Sequence, residues 1–416
     1  MFERNKKKPI VRFRHRFFNG ILRTFFGPIF RHMYRFHGKL NRLRKKGPFL
    51  ILVNHTVNLD PILLGTVFNF PIYYVASDQI LNQGFTSALL KYFFAPIGKT
   101  KSMPDIAVIT TIKRIINQGG SVAIFVEGNV TMTGETATIP PAIGKLVKLV
   151  NRPVIFYTNH GLNFNDPRWS VHRKHGYATG SIKRIMQPEE YKDVSAEDLN
   201  DLVKEELYVN AYEKDPKLEY KGKKRAEGLQ RLVFVCPHCH QPFGMSSHDD
   251  KLLCSHCGFI GTYDTKGYLQ SELGQQTMIE LNRTTLNDWT HFLKHNPDTV
   301  LKDSAKIFIT YRNARKRTRK GKQTFSVTPL GVTVTRNEEI QNFTYNDIMG
   351  FAMQQKNKII VYLHDQLTIF VKFNKCVSAY QYLVTLQLYQ NRYTIQKGEK
   401  TYDYFSVDEP CQYLGL

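Results

Sequence analysis

The chain has 416 residues, and 58 Lys and Arg against 35 Asp and Glu leave a formal net charge of +23 at neutral pH. With 42% hydrophobic and 12% aromatic residues, it holds enough apolar material for about three cores at roughly 150 residues per domain, which excludes a wholly disordered chain. A mean hydropathy of −0.35, with no run near the ~20 apolar residues of a spanning helix, excludes an integral membrane bundle, so the surplus cations point to nucleic acid or an anionic membrane as partner.

Residues 1–46 hold fifteen Lys and Arg against Glu3 alone, so this ninth of the chain carries +14 of the total. Phe13, Phe17, Phe18, Ile21, Leu22, Phe25, Phe26, Ile29 and Phe30 recur among these cations at three- and four-residue spacings. That pattern predicts a basic amphipathic segment, divided at Gly20 and Gly27-Pro28 into two short helices. Arg23 interrupts the apolar stretch and no small-residue cleavage site follows, so neither a spanning helix nor a secretory signal fits. The expected posture is in a membrane interface, apolar side down, with the cations toward anionic headgroups. The alternative is that the aromatics pack on the following domain.

From residue 47 to 228 short apolar runs alternate with helical patterns, which makes this an α/β domain. Residues 49–53, 72–76, 122–126 and 153–157 read as buried strands, and 61–68, 85–93 and 105–117 as helices. A charged helical stretch over 196–212 and a linker at 217–225 follow. Residues 229–268 contain Cys236-x2-Cys239 and Cys254-x2-Cys257, separated by 14 residues, with Gly258 after the second pair. Two such pairs predict a small zinc ribbon in which four thiolates hold a structural Zn²⁺, with the nearby His238, His240 and His256 as substitute ligands of lesser standing. Thiolate-bound zinc implies a reducing compartment, with Cys376 and Cys411 as free thiols. Between Leu232 and Asp264 the lone cation Lys251 faces Asp249, Asp250 and Asp264, which argues against the ribbon as a nucleic-acid reader.

A helical linker is expected over 269–303, and residues 304–395 predict about seven strands closed by one helix over 377–393. The last segment, 396–416, is a tail. The order of seven strands and a helix resembles the pleckstrin-homology-like barrel. Arg312, Arg315, Lys316, Arg317, Arg319, Lys320 and Lys322 fall between its first two strands, where such barrels often bind lipid phosphates.

The stretch Asn54-His55-Thr56-Val57-Asn58-Leu59-Asp60-Pro61 lies where a strand turns into a helix. A carboxylate five residues from a histidine across such a turn can fix the ring tautomer and leave the other nitrogen to take a proton from a hydroxyl. No enzyme nucleophile lies beside it, so the hydroxyl belongs to the substrate. A structural His-Asp pair is the alternative.

His-x4-Asp with this flanking Asn and Pro resembles the first motif of the glycerolipid acyltransferases, in particular the bacterial 1-acyl-glycerol-3-phosphate acyltransferases. Phe94-Ala95-Pro96-Ile97-Gly98-Lys99-Thr100-Lys101 is similar to the second motif, Phe125-Val126-Glu127-Gly128-Asn129 to the third, and Pro153-Val154-Ile155-Phe156 to the fourth. The resemblance implies His55 and Asp60 as the catalytic pair and Lys99, Lys101, Glu127, Gly128 and Asn129 as acceptor-binding residues. It implies acyl-CoA or acyl carrier protein as donor, a lysophospholipid as acceptor, no cofactor in the chemistry, and a peripheral place on the inner face of the cytoplasmic membrane. The leading acceptor is 1-acyl-glycerol 3-phosphate, which would give phosphatidic acid. Val126 replaces the usual Pro, and Val130-Thr131 stand where many members carry an Arg-Ser or Arg-Thr pair that adds positive charge to the phosphate site, which leaves another lysophospholipid or a glycolipid hydroxyl open as acceptor. A non-enzymatic protein binding membrane or nucleic acid through its ribbon and basic patches is the reading from a different class.

Overall fold

In the computed structural model, residues 9–77, 85–99, 106–311, 322–336 and 339–396 are described. The N-terminal cations before residue 9, Lys101, the basic residues from Arg312 to Lys320, Cys411 and the tail from 397 onward lie outside them.

Aromatics and cations alternate first along α1 (Phe13–Ile21) and α2 (Gly27–Met33), which are joined by a π turn over Leu22–Phe26. This differs from the two separate helices that Gly27-Pro28 predicts. Leu22 and Phe26 both keep right-handed helical angles, so the helix runs on. The π turn shifts the hydrogen-bonding frame by one residue just before Pro28, which has no N–H to give.

The α/β part continues through β1 (Phe36–Gly38), β2 (Leu50–Val53), α3 (Asp60–Thr66), β3 (Ile72–Ser77), α4 (Phe85–Phe94), β4 (Ile97–Lys99), α5 (Ile106–Asn117), β5 (Ser121–Phe125), α6 (Ile143–Val150), β6 (Val154–His160), α7 (Leu162–Asn165), β7 (Ala178–Met186), α8 (Pro188–Tyr191) and α9 (Ala196–Leu207). The strands form one sheet in the order β1-β7-β6-β2-β5-β3-β4. From β6 to β4 the neighbours are parallel, whereas β7 runs antiparallel to β6.

Alternate side chains of the central strands face opposite layers, as the two-residue strand period requires. Leu50, Leu52, Val122, Val154 and Phe156 pack against α5, α6 and α9. Ile51, Val53, Ala123, Phe125, Ile155 and Tyr157 pack against α3 and the end of α2. Both faces are covered, so these strands read as continuous apolar runs and are the ones the sequence reveals.

Along α1, the π turn and α2 the apolar residues divide between the two expectations. Phe18 packs on Phe93 with ring centroids 4.0 Å apart, and Phe30 and Met33 join the core under α3. Phe13, Phe17, Phe25, Phe26 and Ile29 stay at least 50% exposed. Among the described residues no helix is long and apolar enough to cross a membrane.

The C-terminal half begins with β8 (Met245–His248), β9 (Lys251–Cys254), β10 (Ile260–Tyr263), β11 (Leu269–Ser271) and β12 (Gly274–Gln276), antiparallel in chain order. Thr277 and Glu280 then cap each other's backbone and start α10 (Met278–His295). After it come β13 (Leu301–Tyr311), β14 (Lys322–Thr328), β15 (Gly331–Arg336), β16 (Glu339–Thr344), β17 (Ile348–Gln354), β18 (Lys358–Leu363), β19 (Leu367–Phe373) and α11 (Ala379–Gln396). Their sheet order is β16-β15-β14-β13-β19-β18-β17.

A ribbon of this size buries too little apolar surface to stand alone. Here it shares one core with its neighbours. Trp169 of the α/β part, Leu252 and Tyr263 of the ribbon, Trp289 of α10 and Phe325 and Tyr382 of the last domain belong to a single cluster. Trp289 also donates from Nε1 to Thr385 Oγ1 of α11 at 3.0 Å.

Candidate functional site

Strand β2 ends at Val53, and the chain must turn before α3 begins at Asp60. The turn is fixed at its start by Asn54, which donates from Nδ2 to the Asn159 carbonyl at 3.0 Å and accepts from Asn159 N at 2.8 Å. This reciprocal amide pair locks the ends of β2 and β6 together. At its other end Asp60 opens α3 with no side-chain exposure, where a carboxylate also meets the positive end of the helix dipole.

Asp60 organises the turn. Its Oδ2 accepts from Thr56 N at 2.6 Å and Val57 N at 2.9 Å and lies 2.9 Å from His55 Nδ1, while Oδ1 accepts from Thr56 Oγ1 at 3.0 Å. A carboxylate has no proton to give, so Nδ1 is the donor and Nε2 carries the lone pair. The ring stacks on Phe125, with centroids 4.5 Å apart and planes 28° apart, and keeps 17% exposure. Position, tautomer and access are thus those of a proton acceptor.

Glu127, just beyond β5, is 4% exposed. It accepts from His55 N on Oε1 at 2.5 Å and from Ala137 N on Oε2 at 2.7 Å. Thr131 N donates in turn to the His55 carbonyl at 2.9 Å. Both backbone groups of His55 are therefore held by the loop from Glu127 to Ala137. Gly128 is exposed with φ +68°, a left-handed conformation that favours glycine. Asn129 is half-buried next to it. Val126 N donates to the Val53 carbonyl at 3.2 Å, a bond that a proline could not make, so the departure from the resembling motif has a structural use. Val130 and Thr131 are both buried and bring no charge to this loop.

Because β2, β3, β4 and β5 run parallel, their carboxyl ends share one edge of the sheet, the edge where α/β sheets bind ligands. His55, Glu127 and Lys99 all lie on it. Lys99 ends β4, three positions from β2, or about 14 Å across at ~4.8 Å per strand, and is exposed. The structure brings His55, Asp60, Glu127, Gly128 and Asn129 together, sets Lys99 across the same edge, and leaves Lys101 outside the described residues. Asn159 and Ala137 support the site from another strand and a loop, and no local pattern marks them, whereas Phe125 opens the third motif-like stretch.

The four ribbon cysteines meet as the spacing predicts. Their sulfurs lie within 4.8 Å of one another, with Cys236 to Cys257 at 3.7 Å and Cys239 to Cys254 at 3.9 Å. A tetrahedron with metal–sulfur bonds of ~2.3 Å has edges of ~3.8 Å, so this donor set fits a structural Zn²⁺. The nearby histidines are engaged elsewhere: His240 with Asp288, His256 with the Pro242 carbonyl, and His238 with Glu272.

Burial pushes the Glu127 pKa up to about 8 from 4.5, against the two backbone N–H bonds that pull it down. A carboxyl whose folded pKa exceeds its unfolded one holds its proton more tightly when folded. Its stabilising contribution is complete below the unfolded value and is lost as pH rises through the folded one. The unfolding free energy of the wild type minus that of Glu127→Gln is therefore expected to fall by ~1 kcal/mol or more between about pH 5 and pH 8 in urea titrations. A flat difference would contradict it. Elemental analysis is expected to find one zinc per chain, lost in Cys239→Ser together with a lower Tm for the shared C-terminal core. A full-length protein free of metal and equally stable would refute this.

Residues 34–157 match the family model described as Acyltransferase. No curated protein matches the chain significantly. Among solved structures, the chain is similar to the 1-acyl-sn-glycerophosphate (LPA) acyltransferase PlsC from Thermotoga maritima, at 13% identity and a TM-score of 0.35, over 46% of this chain and 89% of that one. The segment that carries His55, Asp60 and Glu127 is thus the part of the chain that is similar to the acyltransferase family.

Proposed function

We propose that the protein moves a fatty acyl group from acyl-CoA or acyl carrier protein to the hydroxyl of a lysophospholipid at a membrane surface. What carries this reading is a histidine whose Nδ1 is held by the buried Asp60 at 2.9 Å, at the sheet's carboxyl edge, in a segment matching an acyltransferase family. His55 Nε2 takes the proton of the acceptor hydroxyl. The oxygen attacks the thioester carbonyl, the new ester C–O bond forms as C–S breaks, and the thiolate leaves with the proton that the imidazolium returns. Asp60 stabilises the imidazolium between these steps. Lys99 and Lys101 counter the charge of an acceptor phosphate, while Gly128 and Asn129 border its glycerol.

1-Acyl-glycerol 3-phosphate, giving phosphatidic acid, is the first acceptor to test. Another lysophospholipid or a glycolipid is the second reading, favoured by the uncharged, buried Val130 and Thr131 where the resembling motif places an arginine. Zn²⁺ in the ribbon is structural and takes no part in the chemistry. The pleckstrin-like reading of the last domain rests on its strand order and closing helix.

Membrane association rests on the exposed Phe13, Phe17, Phe25, Phe26 and Ile29, set in the segment richest in cations. Apolar surface entering the lipid boundary and cations meeting anionic headgroups act together. The anionic inner face of a cytoplasmic membrane suits both. Nucleic acid fits less well, because residues 232–264 around the cysteine pairs carry three acids against one base.

Mass-spectrometric screening with labelled acyl-CoA and acyl carrier protein against a panel of lyso-acceptors is expected to yield one favoured diacyl product. His55→Ala should lower its formation by about 10²–10⁴-fold. Wild-type turnover in folded His55→Ala, or no acylated acceptor at all, would refute the reading. Vesicles rich in anionic lipid are expected to float the wild type but not the triple variant Phe17→Ser, Phe25→Ser, Ile29→Ser. Equal flotation of both would rule out this docking face.

A further inference from the structure

Arg168 follows α7 and is only 5% exposed. Its guanidinium donates to three carbonyls: from Nη1 to Val130 at 2.7 Å, from Nη2 to Met353 at 3.1 Å and from Nε to Gln355 at 3.3 Å. Burial lowers its pKa to about 10, so the group remains a cation at neutral pH. Burying a cation against neutral oxygens is expensive, and the oxygens here belong to two distant regions. Val130 is in the loop that holds His55. Met353 is near the end of β17 and Gln355 is in the turn between β17 and β18 of the last domain.

The peptide unit that Arg168 grips is the one that touches His55. Its carbonyl is that of Val130, which accepts from Arg168, and its N–H is that of Thr131, which donates to the His55 carbonyl. A donor on a peptide oxygen fixes the unit's plane and strengthens its N–H as a donor. Three hydrogen bonds and one peptide unit therefore connect the Met353 carbonyl to the His55 backbone. The same β17–β18 turn is pinned again by Lys356 Nζ, which donates to Asp166 Oδ1 and the Ser170 carbonyl, each at 2.7 Å. A small cavity beside Arg168 is bounded by Thr131, Met132, Trp169, Tyr212 and Tyr263.

We propose that Arg168 is a positioning residue through which the C-terminal β domain sets the His55 backbone, so that this domain completes the acyltransfer site. The kinetic part of this inference rests on the acyltransfer reading; the geometric part does not. Arg168→Lys keeps the charge but cannot span three carbonyls. Lys356→Met, at a side chain 27% exposed, removes the turn's tie to Asp166 and Ser170 and leaves the Arg168 side chain itself unchanged.

The test combines hydrogen exchange and steady-state kinetics on the full-length, zinc-loaded protein. In both variants exchange in peptides covering 127–137 is expected to rise about tenfold, more in Arg168→Lys, while peptides covering 322–336 and 358–373 stay within about twofold of wild type. The kcat is expected to fall by about tenfold or more with KM for donor and acceptor nearly unchanged, the sign of a misplaced reacting group. Unchanged exchange at 127–137 in both variants would overturn the inference. So would a uniform rise over the whole C-terminal half, which is the mark of a merely structural role, or a loss confined to KM. If Arg168→Lys does not fold, Lys356→Met decides. If the wild type transfers no acyl group, the acyltransfer reading falls and exchange at 127–137 alone decides the coupling.

Discussion

The Asp60 carboxylate is the constraint on which the site depends. It is fully buried, yet four donors reach it within 3.0 Å, two of them backbone N–H groups of the turn it organises. A buried carboxylate is tolerable only with such compensation. The partners that meet this need also draw the chain tightly enough to bring His55 Nδ1 to the fourth position. Folding the turn and orienting the histidine are one event, and they occur at the carboxyl edge of the sheet because the apolar run of β2 ends there.

Around that turn the molecule is built inward from two sides. From the N-terminal side, α2 contributes Phe30 and Met33 to the core beneath α3, while α1 and the π turn leave Phe13, Phe17, Phe25 and Phe26 in solvent. From the C-terminal side, ribbon, α10 and last domain merge into one core that reaches Trp169. Asp166 stands where the two meet: its Oδ2 accepts from Tyr34 OH at 3.1 Å and its Oδ1 from Lys356. The ribbon's place within this shared core gives it a physical use that needs no nucleic acid. The four cysteines, a donor set that fits a metal, lie in a ribbon whose core is shared with the α/β part and the last β domain.

What the sequence reveals follows from how local the cause is. His55 and Asp60 are five residues apart, the cysteine pairs close by their own turns, and the strands of the last domain are short runs of β-branched and aromatic residues parted by turns, so each can be read from a short window. The buried strands β2, β3, β5 and β6 are equally plain because both their faces are covered. By contrast β1 and β4 have three residues each, and β7 mixes Thr179, Ser181, Lys183 and Arg184 with its apolar residues, so neither length nor period marks them. The π turn before Pro28 is hidden for another reason: proline predicts a break, and a one-residue change of hydrogen-bonding frame removes the need for one. Least legible are the long-range ties. Arg168 to Met353 spans 185 residues and Lys356 to Asp166 spans 190, and nothing near either residue in the chain announces its partner. The expected role of Lys99 is compatible with its place on the carboxyl edge, whereas Lys101 and the basic loop after Tyr311 fall outside the described residues.

The central claim is that Asp60 holds His55 with the proton on Nδ1 and the lone pair on Nε2, ready for a substrate hydroxyl. Nitrogen NMR of histidine-labelled protein at neutral pH, with His55→Gln to assign the resonance, reads this directly. The account predicts a protonated Nδ1 and a bare Nε2 for His55, a pattern that shifts in Asp60→Asn. A proton on Nε2 with Nδ1 bare in the wild type would contradict it.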